Sequence, residues 1–311
     1  MGIKSRNLGY AALLLSVLSL SIGPIIVKSI NAPGIVSSFF RMTISAAALT
    51  PLMMIKAFQQ GNRYISQSHS YDFLPVFFIP VTAGIASAVD HSLWSTAVRL
   101  TSVSNASVLN GIAPIWVCLF AWLFLKEKFK KSFWFGLLFI ICGAFSMANI
   151  FSTNFSNGFN VGDILSLLSS FFYAVYFVMT QIGRRHYPAT TQMWLSQVFC
   201  AVTIGFFVSL WSSDVCSSDL FSYSITGYSK EEYLRFILLG LFSQTGGYFF
   251  FTVALGCLPA TVVSLFSNAV PAVSALIASI VLKEPFLPHQ IFGCIAIFLG
   301  IFVINQSKLN G

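Results

Sequence analysis

Charge is what this sequence has least of. Asp, Glu, Lys and Arg make up 8% of its 311 residues, against about 25% in a soluble domain. A water-exposed surface cannot be built from so few charges, which excludes a soluble globular protein. Catalytic signatures are missing as well: there is no HExxH, no Walker A glycine loop and no clustered Cys and His. Zinc hydrolase and P-loop ATPase chemistry therefore have no carrier, and no cofactor motif is present. The cysteines show no CxxC spacing, and Cys118, Cys142, Cys200, Cys257 and Cys294 sit one to an apolar run. They read as small packing residues rather than as disulfides or metal ligands. No basic tract with interleaved aromatics lies outside the apolar runs. The net charge of +8 therefore points to loop cations on anionic lipid, not to nucleic acid.

What fills the chain is apolar: 56% of residues are hydrophobic and the mean hydropathy is +0.82. Lipid must be the solvent for most of it. The apolar runs are continuous and long, so they predict helices rather than the alternating strands of a barrel. The expected spans are Leu8–Val27, Gly34–Met54, Phe73–Val98, Val103–Leu125 and Phe133–Ile150, then Val161–Ile182, Met193–Trp211, Tyr233–Ala254, Thr261–Leu282 and Gln290–Asn305. The first of them, flanked by Lys4, Arg6 and Lys28, reads as an uncleaved span rather than a signal peptide. The polar loop holding Asp214, Cys216 and Asp219 is unlike its surroundings, and no functional residue is taken from it.

The stretch from Asp90 to Gly143 returns at a constant offset of 157 positions. Ala97 falls on Ala254, Ser107 on Ser264 and Pro114 on Pro271; Leu125-Lys126-Glu127 falls on Leu282-Lys283-Glu284 and Phe129 on Phe286; Gly136 and Gly143 fall on Gly293 and Gly300. Composition bias aligns Leu with Leu, but not Lys-Glu pairs, prolines and glycines together. The chain is therefore expected to be duplicated, with repeats over residues 8–150 and 161–305. Five spans is an odd number, so the second copy would insert upside down. The fold expected is all-α and integral to the membrane, ten helices in two inverted five-helix repeats.

Loop cations set the orientation. One set of span ends holds Lys4, Arg6, Lys56, Arg63, Lys126, Lys128, Lys130, Lys131, Arg184, Arg185 and Lys308; the other holds Lys28, Arg99, Lys230, Arg235 and Lys283. The richer set belongs in the cytoplasm, which puts both termini there.

Polar residues inside the spans are the candidate site. Arg41 and Asp90 lie about 10 and about 12 Å below the outer boundary, counting 1.5 Å per residue. At that depth an unpaired charge is costly, so the two are expected to pair, either structurally or against substrate or protons. His91 adjoins Asp90. It is either a candidate to carry a coupling proton or a neutral ring donating to a backbone carbonyl. Trp94 shares the Asp90 face as a pocket wall or an interfacial anchor. The repeat breaks its symmetry here, because Asp90 falls on Gly247 and His91 on Tyr248. Ser166, Ser169, Tyr173, Tyr176 and Thr180 form a hydroxyl stripe that either lines an aqueous cavity or bonds neighbouring helices. Gln244, Tyr248 and Thr252 share a face beside Gly246-Gly247. Asn110 precedes Pro114 and Asn268 precedes Pro271, where each proline frees a carbonyl one turn back. The glycine pairs Gly136/Gly143 and Gly293/Gly300 suit close helix packing, within the chain or, in a homodimer, between protomers.

The Leu-Lys-Glu-x-Phe ends, the Phe39-Phe40-Arg41 run and the Pro114/Pro271 pair resemble the drug/metabolite transporter superfamily, EamA type, over roughly Leu8 to Asn305. The resemblance implies ten helices in two inverted repeats, a central cavity between spans 1–4 and 6–9, and spans 5 and 10 at the periphery. The function expected is secondary transport of a small polar or amphipathic metabolite across the inner membrane by alternating access. Arg41, Asp90, His91, Trp94, Asn110, Tyr173, Tyr176, Gln244, Tyr248 and Asn268 are expected to line the cavity. The rival readings are an integral-membrane enzyme, which would need converging acids, histidines or a metal, and a non-transporting scaffold or sensor, which would lack a wet cavity.

Overall fold

A computed structural model of the chain describes residues 3–60, 73–101, 106, 109–126, 129, 131–147, 160–212, 225–281 and 287–309. Among the described residues every regular element is helical. Seven helical stretches are long and apolar enough to cross a membrane, and Ala113–Phe124, Phe133–Ser146 and Pro288–Ile304 are shorter apolar helices. Lys283, Glu284 and Phe286 of the repeated motif, with Ser107, Glu127, Lys128 and the Asp214–Leu220 loop, lie outside the described residues.

The first half runs α1 (Ile3–Lys28), α2 (Gly34–Gln60), α3 (Phe73–Leu100), α4 (Ala113–Leu125) and α5 (Lys131–Met147). Lys126 ends α4 in a left-handed conformation, φ 54°, and its N–H returns to the Ala121 carbonyl. The second half begins with α6 (Val161–Gly183), whose start is defined by a capping box. Asn160 accepts from the Asp163 N–H, and Asp163 accepts from the Asn160 N–H. Then come α7 (Ala189–Ser212) and α8 (Lys230–Leu238), the latter opened by a Ser229/Glu232 capping box. Leu239–Gly247 is a π-helical segment that continues into α9 (Tyr248–Cys257), followed by α10 (Ala260–Ser267), α11 (Ala269–Val281) and α12 (Pro288–Leu309).

Two expectations about continuity change. The ninth span is interrupted at Asn268, between α10 and α11. The fourth has a turn at Gly111–Ile112 before α4 begins. Shifted by 157, Gly111 lands on Asn268, so both copies break at the same place. Pro114 and Pro271, three residues on, remove a backbone donor there, which an unbroken helix would need. The breaks meet: the Asn268 side-chain amide donates to the Gly111 carbonyl at 3.3 Å.

The halves interlock through their first helices. α6 lies along α3 and packs on α4, while α1 lies along the π segment and α9. Small residues let these backbones approach. A Cβ on Gly162 would meet the Thr101 backbone nitrogen at 2.7 Å, and one on Gly247 would meet the Leu20 side chain at 2.7 Å. Lipid tails are as apolar as leucine, so such close packing and interhelical hydrogen bonds, more than apolar burial, must hold the bundle. α5 and α12 cross antiparallel. A Cβ on Gly136 would sit 2.8 Å from the Gly300 carbonyl oxygen, and one on Gly143 would sit 2.7 Å from that of Gly293. The glycines are thus consumed inside the chain, and they give no support to a homodimer contact. The outer faces of this pair carry exposed Trp134, Phe135, Phe292 and Phe302, as a lipid-facing surface should.

Candidate functional site

Midway along the bundle, polar side chains from α2, α3, α6, the π segment and α9 converge. Asp90 on α3 is buried. Its Oδ1 accepts from Ser169 Oγ at 2.5 Å, and Ser169 in turn accepts from the Asn110 side-chain amide at 2.8 Å. The carboxylate is therefore held by a relay reaching from α3 through α6 to the turn before α4. A charge-assisted bond of this kind is what a buried carboxylate requires.

The expected Arg41–Asp90 ion pair does not form. Arg41 instead places its Cζ 5.6 Å from the Tyr248 ring centroid, and its Nε is buried without a hydrogen-bond partner. The reason is positional: Asp90 is occupied from α6, while α2 packs on the π segment and on α7.

His91 follows the quieter of its two readings. Its Nδ1 lies 2.7 Å from the Ser87 carbonyl one turn back. A carbonyl only accepts, so Nδ1 carries a proton, and in the neutral form of the ring Nε2 is the open acceptor. The Asp90 carboxylate is 3.6 Å from the same Nδ1. Trp94 is 37% exposed while Ser87, Asp90 and Ala97 on the same stripe are buried, so it stands apart from the others at the rim.

Tyr173, one turn from Ser169, lies parallel to Tyr176 with ring centroids 6.4 Å apart. Tyr176 contacts Tyr248 at 6.0 Å. Arg41, Tyr248, Tyr176 and Tyr173 thus form one continuous cation–aromatic chain leading to the Asp90 relay. Elsewhere the hydroxyl stripe of α6 bonds across helices: Ser166 donates to the Ala106 carbonyl at 2.6 Å. Where α3 ends and α6 begins, Thr101 donates to Asp163 at 2.7 Å.

Gln244 sits in the π segment, fully buried, with neither amide atom hydrogen-bonded. Ser45 Oγ, Ser16 Oγ, Ser243 Oγ and Gln197 Oε1 are in the same condition. Buried polar atoms are normally satisfied, so these side chains on α1, α2, α7 and the π segment give the bundle a polar interior. Ser45 and Gln197 were not among the residues expected here; a serine one turn below Arg41 and a glutamine inside an apolar span were the signals that could have found them. The π segment was not legible beforehand beyond the Gly246-Gly247 pair. Among the described residues, no three of His, Cys, Asp and Glu stand together as a metal would need.

Comparisons with known proteins agree with this geometry. A chain of known crystal structure superposes over 99% of each chain with a TM-score of 0.74 at 17% identity, a likeness of fold. The uncharacterized transporter YetK of Bacillus subtilis is 22% identical over 299 residues, covering 93% of this chain and 83% of that one. A riboflavin transporter of Brucella anthropi is 25% identical over 218 residues, 70% of this chain and 69% of its own. The profile of the EamA-like transporter family matches twice, over residues 7–149 and 160–306. Duplicated sequence, interlocked halves and two matches that span nearly the whole length coincide, and the chain belongs to the EamA-like transporter family.

Proposed function

We propose that this protein is a secondary-active transporter that moves a small polar or amphipathic metabolite by alternating access. Its spans are ten, in two inverted repeats over residues 8–150 and 161–305, in the inner membrane with both termini in the cytoplasm. Arg41, Asp90, His91, Asn110, Tyr173, Tyr176, Gln244, Tyr248 and Asn268 line the central cavity, with Trp94 at its rim. The observation that carries the reading is the pair of helix breaks at Gly111 and Asn268, which fall at equivalent positions of the two copies and touch. Discontinuous helices at matching places in two repeats are where such transporters bind substrate. A polar interior beside them supplies the wet path that a scaffold would not need. Protons are the proposed coupling ion, with Asp90 or His91 as carrier.

Riboflavin, for which the Brucella relative is named, is a polar, amphipathic molecule and so falls within the substrate class proposed. The inverted arrangement is tested by reporter tags placed after Ile150 and after Asn305. Opposite sides of the membrane are expected; the same side for both would refute the inverted repeat.

A further inference from the structure

Among the described residues, the interior of the bundle holds a cation, Arg41, with no counter-ion bonded to it. Arg41 makes no ion pair, and its buried Nε has no acceptor. Among the described residues, the buried carboxylate of α3, Asp90, is already bound by Ser169. Three neighbours show which side of span 8 Arg41 packs against. A Cβ on Gly240 would meet Ile44 at 2.7 Å and the Arg41 carbonyl at 3.4 Å. One turn on comes Gln244, and one turn further Tyr248, whose ring lies beneath the Arg41 guanidinium. Gln244 therefore faces α2 between two residues that touch it, and its amide, like the Ser45 hydroxyl of α2, has no hydrogen-bond partner. The π segment does this locally. Its wider turns re-aim side chains, which is why such segments gather at functional sites, whereas the equivalent stretch of α3 is plain α-helix.

We infer that Arg41 and Gln244 form the subsite for a carboxylate group of the substrate. The inference rests on the transporter reading and names its substrate class: monoanionic organic acids. The guanidinium and the Gln244 amide supply donors that the protein leaves unused, and a carboxylate accepts from both. The Tyr248 ring backs the guanidinium, and Tyr176 and Tyr173 extend the wall toward any apolar part of the ligand. A phosphate dianion fits worse, because one cation would face two negative charges with Asp90 close by.

The test is equilibrium binding to detergent-solubilised full-length protein, read by thermal shift. The probes are acetate, phenylacetate and indole-3-acetate, each against its amide, with benzyl phosphate as the dianion. At least one acid is expected to bind tenfold or more tightly than its amide, in line with about the strength of a hydrogen bond to a charged group, and more tightly than benzyl phosphate. Arg41→Gln should erase the acid preference and Arg41→Lys should retain part of it. Gln244→Glu should place a carboxylate against Arg41 within the protein, raising the melting temperature and abolishing acid binding. Equal binding of acids and amides, binding of none of the acids, tighter binding of benzyl phosphate, or a Gln244→Glu protein that binds acid as the parent does would each overturn the subsite. Absence of transport in liposomes would count against the transporter reading and leave this binding result standing.

Discussion

At the scale of single residues, the site is decided by which charge finds a partner. Asp90 is buried yet bonded, through Ser169 to Asn110; Arg41 is buried in part and unbonded at Nε. Removing one partner of a buried charge is costly, whereas a ligand that supplies the missing partner recovers that cost. Asp90 sits at the junction of the two halves, where a change of protonation alters what Ser169 can donate to. An Asp90→Asn protein keeps an oxygen to accept from Ser169 but can no longer gain or lose a proton. In liposomes it is expected to exchange substrate down a concentration gradient while losing its response to an imposed pH gradient. An unchanged response would remove Asp90 as the proton carrier and leave His91, whose open Nε2 is the remaining group.

At the scale of elements, the antiparallel crossing of α5 and α12 shows how the bundle coheres without a hydrophobic driving force between helices. Gly136, Gly143, Gly293 and Gly300 bring two backbones into contact. A Cβ at Gly143 would stand 2.7 Å from the Gly293 carbonyl oxygen and 2.9 Å from the Ile297 nitrogen. Neither atom is the end of a flexible side chain, so the helices must move apart. Gly143→Val is expected to cost about 1–3 kcal/mol, the usual penalty of overpacking, seen as a lower melting temperature in detergent. Gly246→Ala, where the nearest outside atom is the Leu241 carbonyl oxygen at 3.7 Å, should shift it far less. Equal losses for the two would mean that the crossing is not held by close approach.

At the scale of the whole molecule, the two halves are tied at one end of the bundle, where Thr101 at the end of α3 donates to Asp163 at the start of α6. The proposed alternating access requires this end of the bundle to open once in each cycle. A Thr101→Cys, Asp163→Cys protein, oxidised to the disulfide, is expected to stop substrate exchange in liposomes and to regain it on reduction. Exchange at the reduced rate with the bridge intact would show that the halves do not part there.

Much of this was legible in the order of residues alone. Scarce charge and long apolar runs dictate a helical membrane protein, because lipid satisfies no backbone group and every helix satisfies its own. The constant offset joining Pro114 to Pro271 and Gly143 to Gly300 announced a duplication, and the positions of the polar residues announced where a site would be. Pairing was not legible. Arg41 and Asp90 lie at matching depths, yet depth along a helix says nothing of which way that helix is turned; Ser169 of α6 takes the carboxylate, and Arg41 turns to the Tyr248 ring. Nor does any propensity foretell that Leu239–Gly247 is π-helical, since local sequence tolerates either turn and the packing of α1 and α2 selects one. Sequence alone determined the solvent, the repeat and the inventory of polar groups. Tertiary structure alone decided which of those groups are satisfied by the protein and which, like Arg41 Nε and the Gln244 amide, are buried without a hydrogen-bond partner, because that depends on which helix faces which.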